Sequence, residues 1–595
     1  MTLSRARLAP ISYLSGRFGT PTGPRADRQL SALALSSREV VLPDAALTVS
    51  GHAYPGQTLD AHLWTDGRQA LAFCGDLYNL RELERLAAAV APRTRPDNAA
   101  HLLAILLESC PERLLAQANG KFVIARTGPW GLELIRDRIG EEQLYHATTR
   151  DGGVVFSSSL RGLVAVLPEA ELYVPDSVKV FETPVGAETM FRGVSKLEGG
   201  TRLTVRPDGR HRTEEYWRIE PREPDARGDE ELAEELRALL HTALRARLPA
   251  SGEPSAFLSG GQDSSWVSCA LDAIGHRPRS VYTTAFRELD SVYDESPHAR
   301  RVADHIGAEH VVLEPEAEDF VKHFPTTMAI FDEVKANAAH FTEYWIAREA
   351  AARGERVLFS GYGADEALGG EVRYLVMYLD REREASAPLF RRHPMLVNYE
   401  PLFAKLGQYP AATPEWEKYY GLMRRGTPDR DEDRYRELVR REFDRSGRLV
   451  DQMGLADIAI SAPPLLDTAK VDKYWGVDKV CPFLDPRVVS FAFSLPEHLK
   501  IQGFTTKALL RTASRGLVPD EITHRTDKVG FAFPHNDPRY AAFIGRLAES
   551  WAVRTGRRVD VDPVRGRYDR TILMAASQEL VHQSYDTAPE ALAEV

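Results

Sequence analysis

The sequence predicts an α/β protein of two domains, with stacked sheets and helices in the first half and a doubly wound parallel sheet in the second. Three observations predict it. Before residue 217, short apolar runs bounded by turn residues come first, then two helical patterns, then more short runs. That order stacks sheets and helices in one domain. After residue 230, strand-like and helix-like segments alternate, as in a parallel sheet. Between the two halves, residues 218–229 are rich in Arg, Glu, Pro, Asp and Gly and read as a linker.

The totals agree with two domains and narrow the function. A chain of 595 residues, 43% hydrophobic and 27% charged, can bury large cores. A net charge of −11 argues against a dedicated nucleic-acid surface. Cys74, Cys110, Cys269 and Cys481 lie far apart, with neither metal-ligand spacing nor a disulfide framework, so a reducing cytoplasm is expected. No signal-peptide core and no 18-residue apolar run predict a protein without a membrane span.

In chain order, strands are expected at Ile11–Leu14, Ala46–Val49, Ala70–Cys74, Phe122–Ala125, Leu132–Ile135 and Val154–Ser157. Helices are expected at Leu80–Val90 and Asn98–Cys110. Pro207-Asp208-Gly209 marks a hairpin, and residues 1–217 form the first domain. Leu232, Leu236, Leu239, Leu240 and Leu244 place an amphipathic helix over Glu230–Arg247. In the second domain, residues 230–595, strands follow at Val281–Ala285, His310–Leu313 and Arg356–Ser360, with helices at Ala299–Ile306 and Ala336–Glu349. Residues 378–460 form a charged helical insertion whose aromatics, among them Trp416, Tyr419 and Tyr420, are expected to pack a helical subdomain.

Two Gly-rich stretches carry chemistry. Phe257-Leu258-Ser259-Gly260-Gly261-Gln262-Asp263-Ser264-Ser265 precedes an apolar helical run, which reads as strand, hinged turn and helix start. Its hydroxyls and backbone N–H groups suit an anion such as a phosphate. Asp263 would repel a bare phosphate but can hold a magnesium ion bridged to one. Any four of these residues would fit a turn capping an ordinary helix; the full run is far more specific. Ser360-Gly361-Tyr362-Gly363-Ala364-Asp365-Glu366 likewise sets an acidic pair at a strand end, and Asp365 is expected to face Asp263 across a nucleotide and share the magnesium.

These motifs resemble known families. The first loop resembles the pyrophosphate loop of the ATP pyrophosphatases. Phe73-Cys74-Gly75-Asp76-Leu77-Tyr78-Asn79, Ala118-Asn119-Gly120-Lys121-Phe122, Arg136-Asp137-Arg138-Ile139-Gly140 and Phe156-Ser157-Ser158-Ser159 resemble class II glutamine amidotransferase domains. The Gly361–Glu366 run, Val477-Asp478-Lys479-Val480-Cys481-Pro482-Phe483-Leu484-Asp485 and Arg525-Thr526-Asp527-Lys528-Val529-Gly530-Phe531 are similar to asparagine synthetase motifs. The resemblance to that superfamily covers residues 10–535. It implies an Ntn-hydrolase-like αββα sandwich followed by a doubly wound ATP-pyrophosphatase domain. It also implies use of ATP and Mg2+ to adenylate a carboxylate, which an amine then attacks. Ser259, Gly260, Gly261, Asp263, Ser264 and Ser265 would hold pyrophosphate and metal, Asp365 the metal. Leu258 and Gly361 would lie near adenine and ribose, and Lys528 would neutralise charge at the adenylate.

Two departures matter. The family's glutaminase uses a cysteine directly after the initiator Met; Thr2 stands there, on an extension ahead of a first strand expected near Pro10. The oxyanion-stabilising asparagine of that family's F-N-G is Cys74, a weak donor. The resemblance therefore points to a glutaminase-dead branch like the β-lactam synthetases and the lasso-peptide cyclases, which close rings with an amine of the substrate. In β-lactam synthetases a tyrosine at the Tyr362 position pairs with a glutamate to take the amine's proton; the glutamate's position is Asp478, one methylene shorter. The two ring-closing readings stand level. An ammonia-using synthetase and a non-catalytic scaffold are the alternatives. The partners implied are a small-molecule or peptide substrate and, for the lasso reading, a leader-peptide-binding protein and a protease; a homodimer is compatible with the sequence.

Overall fold

In a computed structural model of the chain, the residues described are 3, 8–20, 31–249, 252–286, 294–335, 340–381, 401–426, 428, 431–460, 467–525, 538–558 and 570–586. Thr2 and Lys528 lie outside them, as do residues 336–339 of the helix expected from Ala336 and much of 378–400.

The first domain is two antiparallel six-stranded sheets packed face to face. Its strands are β1 (Ser12–Phe18), β2 (Ser36–Leu42), β3 (Ala45–Gly51), β4 (Leu63–Thr65), β5 (Ala70–Leu77), β6 (Gly120–Gly128), β7 (Gly131–Arg136), β8 (Tyr145–Thr148), β9 (Val154–Ser157), β10 (Val194–Lys196), β11 (Thr201–Val205) and β12 (His211–Glu215). One sheet runs β10-β8-β9-β1-β3-β2 and the other β12-β11-β7-β6-β5-β4. Strand alternation builds the layers. On β5, Ala72 and Cys74 face the inter-sheet core with Leu14, Leu47 and Val123. Leu71 and Phe73 face the other way, under α1 (Leu80–Val90) and α2 (Ala99–Ser109). The outer face of the β10-β8-β9-β1-β3-β2 sheet, with Tyr145, Ala147 and Val155, is covered by the short helix Leu160–Val164 and by Met574 and Val581 of the C-terminal helix Arg570–Asp586. The result is an αββα sandwich. Strand β2 escapes the sequence pattern because it is an edge strand, largely exposed, with no alternation to read.

The second domain opens with α3 (Asp229–Arg247) and holds a five-stranded, wholly parallel sheet. Its elements are β13 (Ser255–Phe257), α4 (Gln262–Ala273), β14 (Ser280–Thr284), α5 (Ser296–Ile306), β15 (Glu309–Leu313), α6 (Ala317–Phe331), α7 (His340–Ala352), β16 (Val357–Phe359), α8 (Ala364–Leu368), α9 (Ala469–Tyr474) and β17 (Asp478–Val480). The order is β15-β14-β13-β16-β17. The chain walks outward from β13 to β15 and then returns to the other side of β13 with β16. The switch point therefore falls between β13 and β16, where open α/β sheets bind ligands at strand C-termini. Both Gly-rich stretches leave the sheet there.

Helix Val372–Arg381 leads into the insertion, which contains helices Glu415–Met423, Glu432–Phe443 and Leu449–Ile460. Tyr374, Tyr419, Tyr420 and Phe443 form its core, which also takes in Val180 and Val185 of the first domain. No helix among the described residues is long and apolar enough to cross a membrane.

Candidate active site at the sheet switch point

The first loop is tied shut by its own hydroxyls. The Ser259 N–H donates to Ser264 Oγ at 3.1 Å, and the two serine hydroxyls are 3.1 Å apart. Gly260 has φ +69°, and a Cβ there would lie 2.7 Å from the Ala299 nitrogen on α5, so glycine is required on both counts. Leu258 is buried, its carbonyl accepting from the Thr283 hydroxyl at 2.6 Å. Gly361, at the end of β16, packs directly on the loop: a Cβ there would fall 2.8 Å from Asp263 Cβ and 3.0 Å from the Ser264 nitrogen. The two motifs thus meet at the backbone. Among the described residues, buried Asp263 Oδ1, Ser265 Oγ and Gln262 Oε1 make no hydrogen bond. Uncompensated buried oxygens are costly, and a ligand at this loop would give Asp263 Oδ1 a partner.

Asp263 and Asp365 do converge, around a residue that sequence reasoning passed over. Lys507 Nζ lies 2.5 Å from Asp263 Oδ2 and 2.5 Å from Asp365 Oδ1. Burial lowers the affinity of that amine for its proton, but the two carboxylates outweigh burial and hold it protonated. No spacing links residues 244 apart in sequence, so nothing in the motif pointed to it. The donor set suits magnesium, which is commonly held by one or two carboxylates together with substrate phosphate oxygens; the orphaned Asp263 Oδ1 is a hard oxygen of that kind. Arg525, three residues before Lys528, donates to the Gly260 carbonyl at 3.0 Å and pairs with Glu295 at 2.7 Å.

The Tyr362–Asp478 pairing does not form. The Tyr362 hydroxyl donates to Glu343 Oε2 of α7 at 3.3 Å. Glu343 also takes Lys479 Nζ, which stacks 4.7 Å from the Tyr362 ring centre and lies 3.5 Å from Asp472. Asp478 is instead ion-paired to Lys121 of the first domain, whose ammonium also donates to the Lys479 carbonyl at 2.7 Å. The reason is strand geometry: neighbours on β17 point to opposite faces, so Asp478 and Lys479 cannot both turn toward Tyr362. Burial, then the Glu343 carboxylate, push the Tyr362 phenol well above its ordinary value, so it stays neutral.

Glu366, beside Asp365 on α8, is pushed up to about 8, first by burial and then by Asp365 and Glu371. An unfolded glutamate ionises near 4.5. Between those values the folded protein holds one proton more than the unfolded chain, so stability falls as pH rises through the window. Glu366→Gln stays neutral. It is expected to leave the melting temperature unchanged near the bottom of the window and to raise it above the top, by about 1 °C for each kcal/mol recovered in a chain of this size. Thermal melts of both proteins at the two ends check this.

In the first domain, Cys74 is fully buried in the inter-sheet core, and burial pushes its thiol up to about 12. The neighbouring Gly75 N–H donates to Ser12 Oγ at 3.2 Å. The seam to the second domain carries buried charge: Lys121 with Asp478, and Lys473 of α9 with Glu142 at 2.5 Å.

Comparison with known proteins agrees with this arrangement. Residues 36–217 match the glutamine amidotransferase domain family, and residues 235–589 match the asparagine synthase family. The chain is 28% identical over 550 residues to a putative glutamine-hydrolysing asparagine synthetase of Mycobacterium bovis, covering 84% of this chain and 80% of that one. It is 26% identical to glutamine-hydrolysing asparagine synthetase 1 of Bacillus subtilis, over 78% of this chain and 76% of the relative. It is also 25% identical to a protein of Gibberella zeae named amidase chry2, over 66% of each chain. With more than half of its length matched by that family, and with the family's two domains in order, the chain belongs to the asparagine synthase family.

Proposed function

We propose that the chain is an ATP-dependent carbon–nitrogen ligase that forms AMP and pyrophosphate, adenylates a substrate carboxylate, and joins it to an amine carried by the substrate. Ring closure to a β-lactam or a macrolactam is the reaction this favours, in natural-product biosynthesis. The observation that carries it is the charged seam. Ammonia released in the first domain would have to cross to the second, and the buried pairs Lys121–Asp478 and Lys473–Glu142 put charged side chains in that boundary. Burial of Cys74 in the apolar core supports the same reading, since its thiol cannot stabilise an oxyanion from there.

Each residue then has a task. Ser259, Gly261, Ser264 and Ser265 receive the phosphates through backbone N–H groups and hydroxyls at the start of α4. Leu258 and Gly361 wall the nucleoside. A magnesium ion held by Asp263 and Asp365 would neutralise phosphate charge. Tyr362 takes the amine's proton as it hands its own to Glu343, so the relay partner is Glu343 in place of Asp478. Lys528 keeps the role the resemblance gives it.

Pyrophosphate release, measured with glutamine, ammonia and candidate amino-carboxylates, tests the proposal. Release is expected with an amino-carboxylate alone. Strong glutamine-supported asparagine formation would overturn it. The identity to glutamine-hydrolysing asparagine synthetases favours a second reading, an amide-forming enzyme fed by free ammonia; a saturable response to ammonia without any effect of glutamine would select it.

A further inference from the structure

We propose that Lys507 is a built-in occupant of the divalent-cation position, which the ammonium must vacate before a metal ion can be held, so that this chain binds metal only together with nucleotide. The inference rests on reading Asp263 and Asp365 as the metal-holding pair.

The geometry is that of a bridge. One ammonium sits 2.5 Å from an oxygen of each carboxylate, so the position between Asp263 Oδ2 and Asp365 Oδ1 is already held by a cation. The surroundings are shaped to admit the lysine. A Cβ on Gly370 would fall 1.9 Å from Lys507 Cε and 2.1 Å from Asp365 Oδ1, so a larger residue there would push the tips of the two side chains out of this arrangement. The lysine backbone is itself left-handed, with φ +54°, one of four non-glycine residues with positive φ among those described. Such conformations persist where the surrounding structure enforces them and cluster at functional sites. The Lys507 side chain is 6% exposed, against 39% for Asp365, so the cation is buried while one of its acids reaches solvent.

Energetics set the order of events. A buried ammonium turned off its carboxylates is left uncompensated at large cost. Metal alone offers it nothing in exchange. The phosphates of a nucleotide lying on the Ser259–Ser265 loop do, because they bring anionic oxygens to the same crevice and a lysine's flexible stem can turn to them. Metal and nucleotide affinity are therefore coupled through one side chain, and the coupling is reciprocal.

Mn2+ binding to the full chain, followed by electron paramagnetic resonance without turnover, tests this. The wild type is expected to bind Mn2+ weakly by itself and to gain a site when α,β-methylene-ATP is added. Lys507→Met is expected to bind Mn2+ without nucleotide about tenfold or more tighter than the wild type, and to bind the Mn2+–analogue pair more weakly. Lys507→Arg, which keeps a cation there, should stay weak for metal alone. Equal nucleotide-free affinity in wild type and Lys507→Met overturns the proposal. So does one tight nucleotide-independent Mn2+ site in the wild type, a measurement that needs no variant to fold. If the wild type gains no Mn2+ site even with the analogue, or if Asp263→Asn fails to remove the site gained in Lys507→Met, the assignment of the metal pair falls.

Discussion

Glu343→Gln is expected to slow amide formation by about 10²- to 10⁴-fold, the range a positioned proton acceptor contributes, while ATP–pyrophosphate exchange stays within a few-fold of wild type. Exchange reports adenylation, which takes place on the Ser259–Ser265 loop and does not need the amine's proton removed. Amide formation does. The glutamine side chain preserves shape and can still accept from the Tyr362 hydroxyl, now 3.3 Å from Glu343, but cannot take up a proton. The measurement is product formation against exchange, with the amino-carboxylate found in the pyrophosphate screen. Loss of amide formation with exchange retained is a split that loss of packing alone would not produce. Tyr362→Phe should give a similar loss, and the double variant little more, because residues acting as one relay are not additive. Parallel loss of exchange and amide formation in Glu343→Gln would remove Glu343 from the relay.

Arg247→Met is expected to lower stability by up to about 3 kcal/mol, the low end of the cost of breaking a buried ion pair, because Asp485 keeps two of its partners. Arg247 is 1% exposed and its guanidinium lies 2.7 Å from the fully buried Asp485. It also covers the Tyr78 ring at 4.2 Å. Asp485 gathers partners from three places: Arg247 on α3, Arg487 at 2.8 Å, and Asn119 of the first domain at 3.0 Å. It also caps the helix Pro486–Ala492 through the Arg487 N–H. Removing the arginine therefore loosens the domain seam as well as the second domain. Denaturant unfolding followed by tryptophan fluorescence checks it. Replacing Arg247 and Asp485 together with apolar residues should cost less than the single change, since no charge is then left buried alone; a double variant as unstable as the single one would assign the loss to packing.

Local chemistry made much of this protein readable. The alternation of β5, the leucine spacing of α3 and the turn at Gly260 are each set by a few neighbouring residues, and the helix over Leu80–Val90 forms where the periodicity puts it. The helix expected from Ala336 is described only from His340, and it runs on to Ala352. The meeting of the Ser259–Ser265 loop with Gly361 was legible too. Both glycine-rich stretches follow strands, and a doubly wound sheet brings such ends together.

What the sequence by itself determined is the set of parts and the family that owns them: two domains, a phosphate loop, an acidic pair, and a first domain without its F-N-G asparagine. Only the tertiary structure decided who holds whom. Asp478 and Glu343 are both acids in ordinary surroundings along the chain, and motif position favoured Asp478. The pleat of β17 turned Asp478 toward Lys121, 357 residues away, and left Lys479 to bring Glu343 to Tyr362. Lys507 was one lysine among many until the fold set it between Asp263 and Asp365. Periodicity and turn chemistry act over a few residues, whereas charge pairing acts over a few ångströms, and only the folded chain converts one distance into the other.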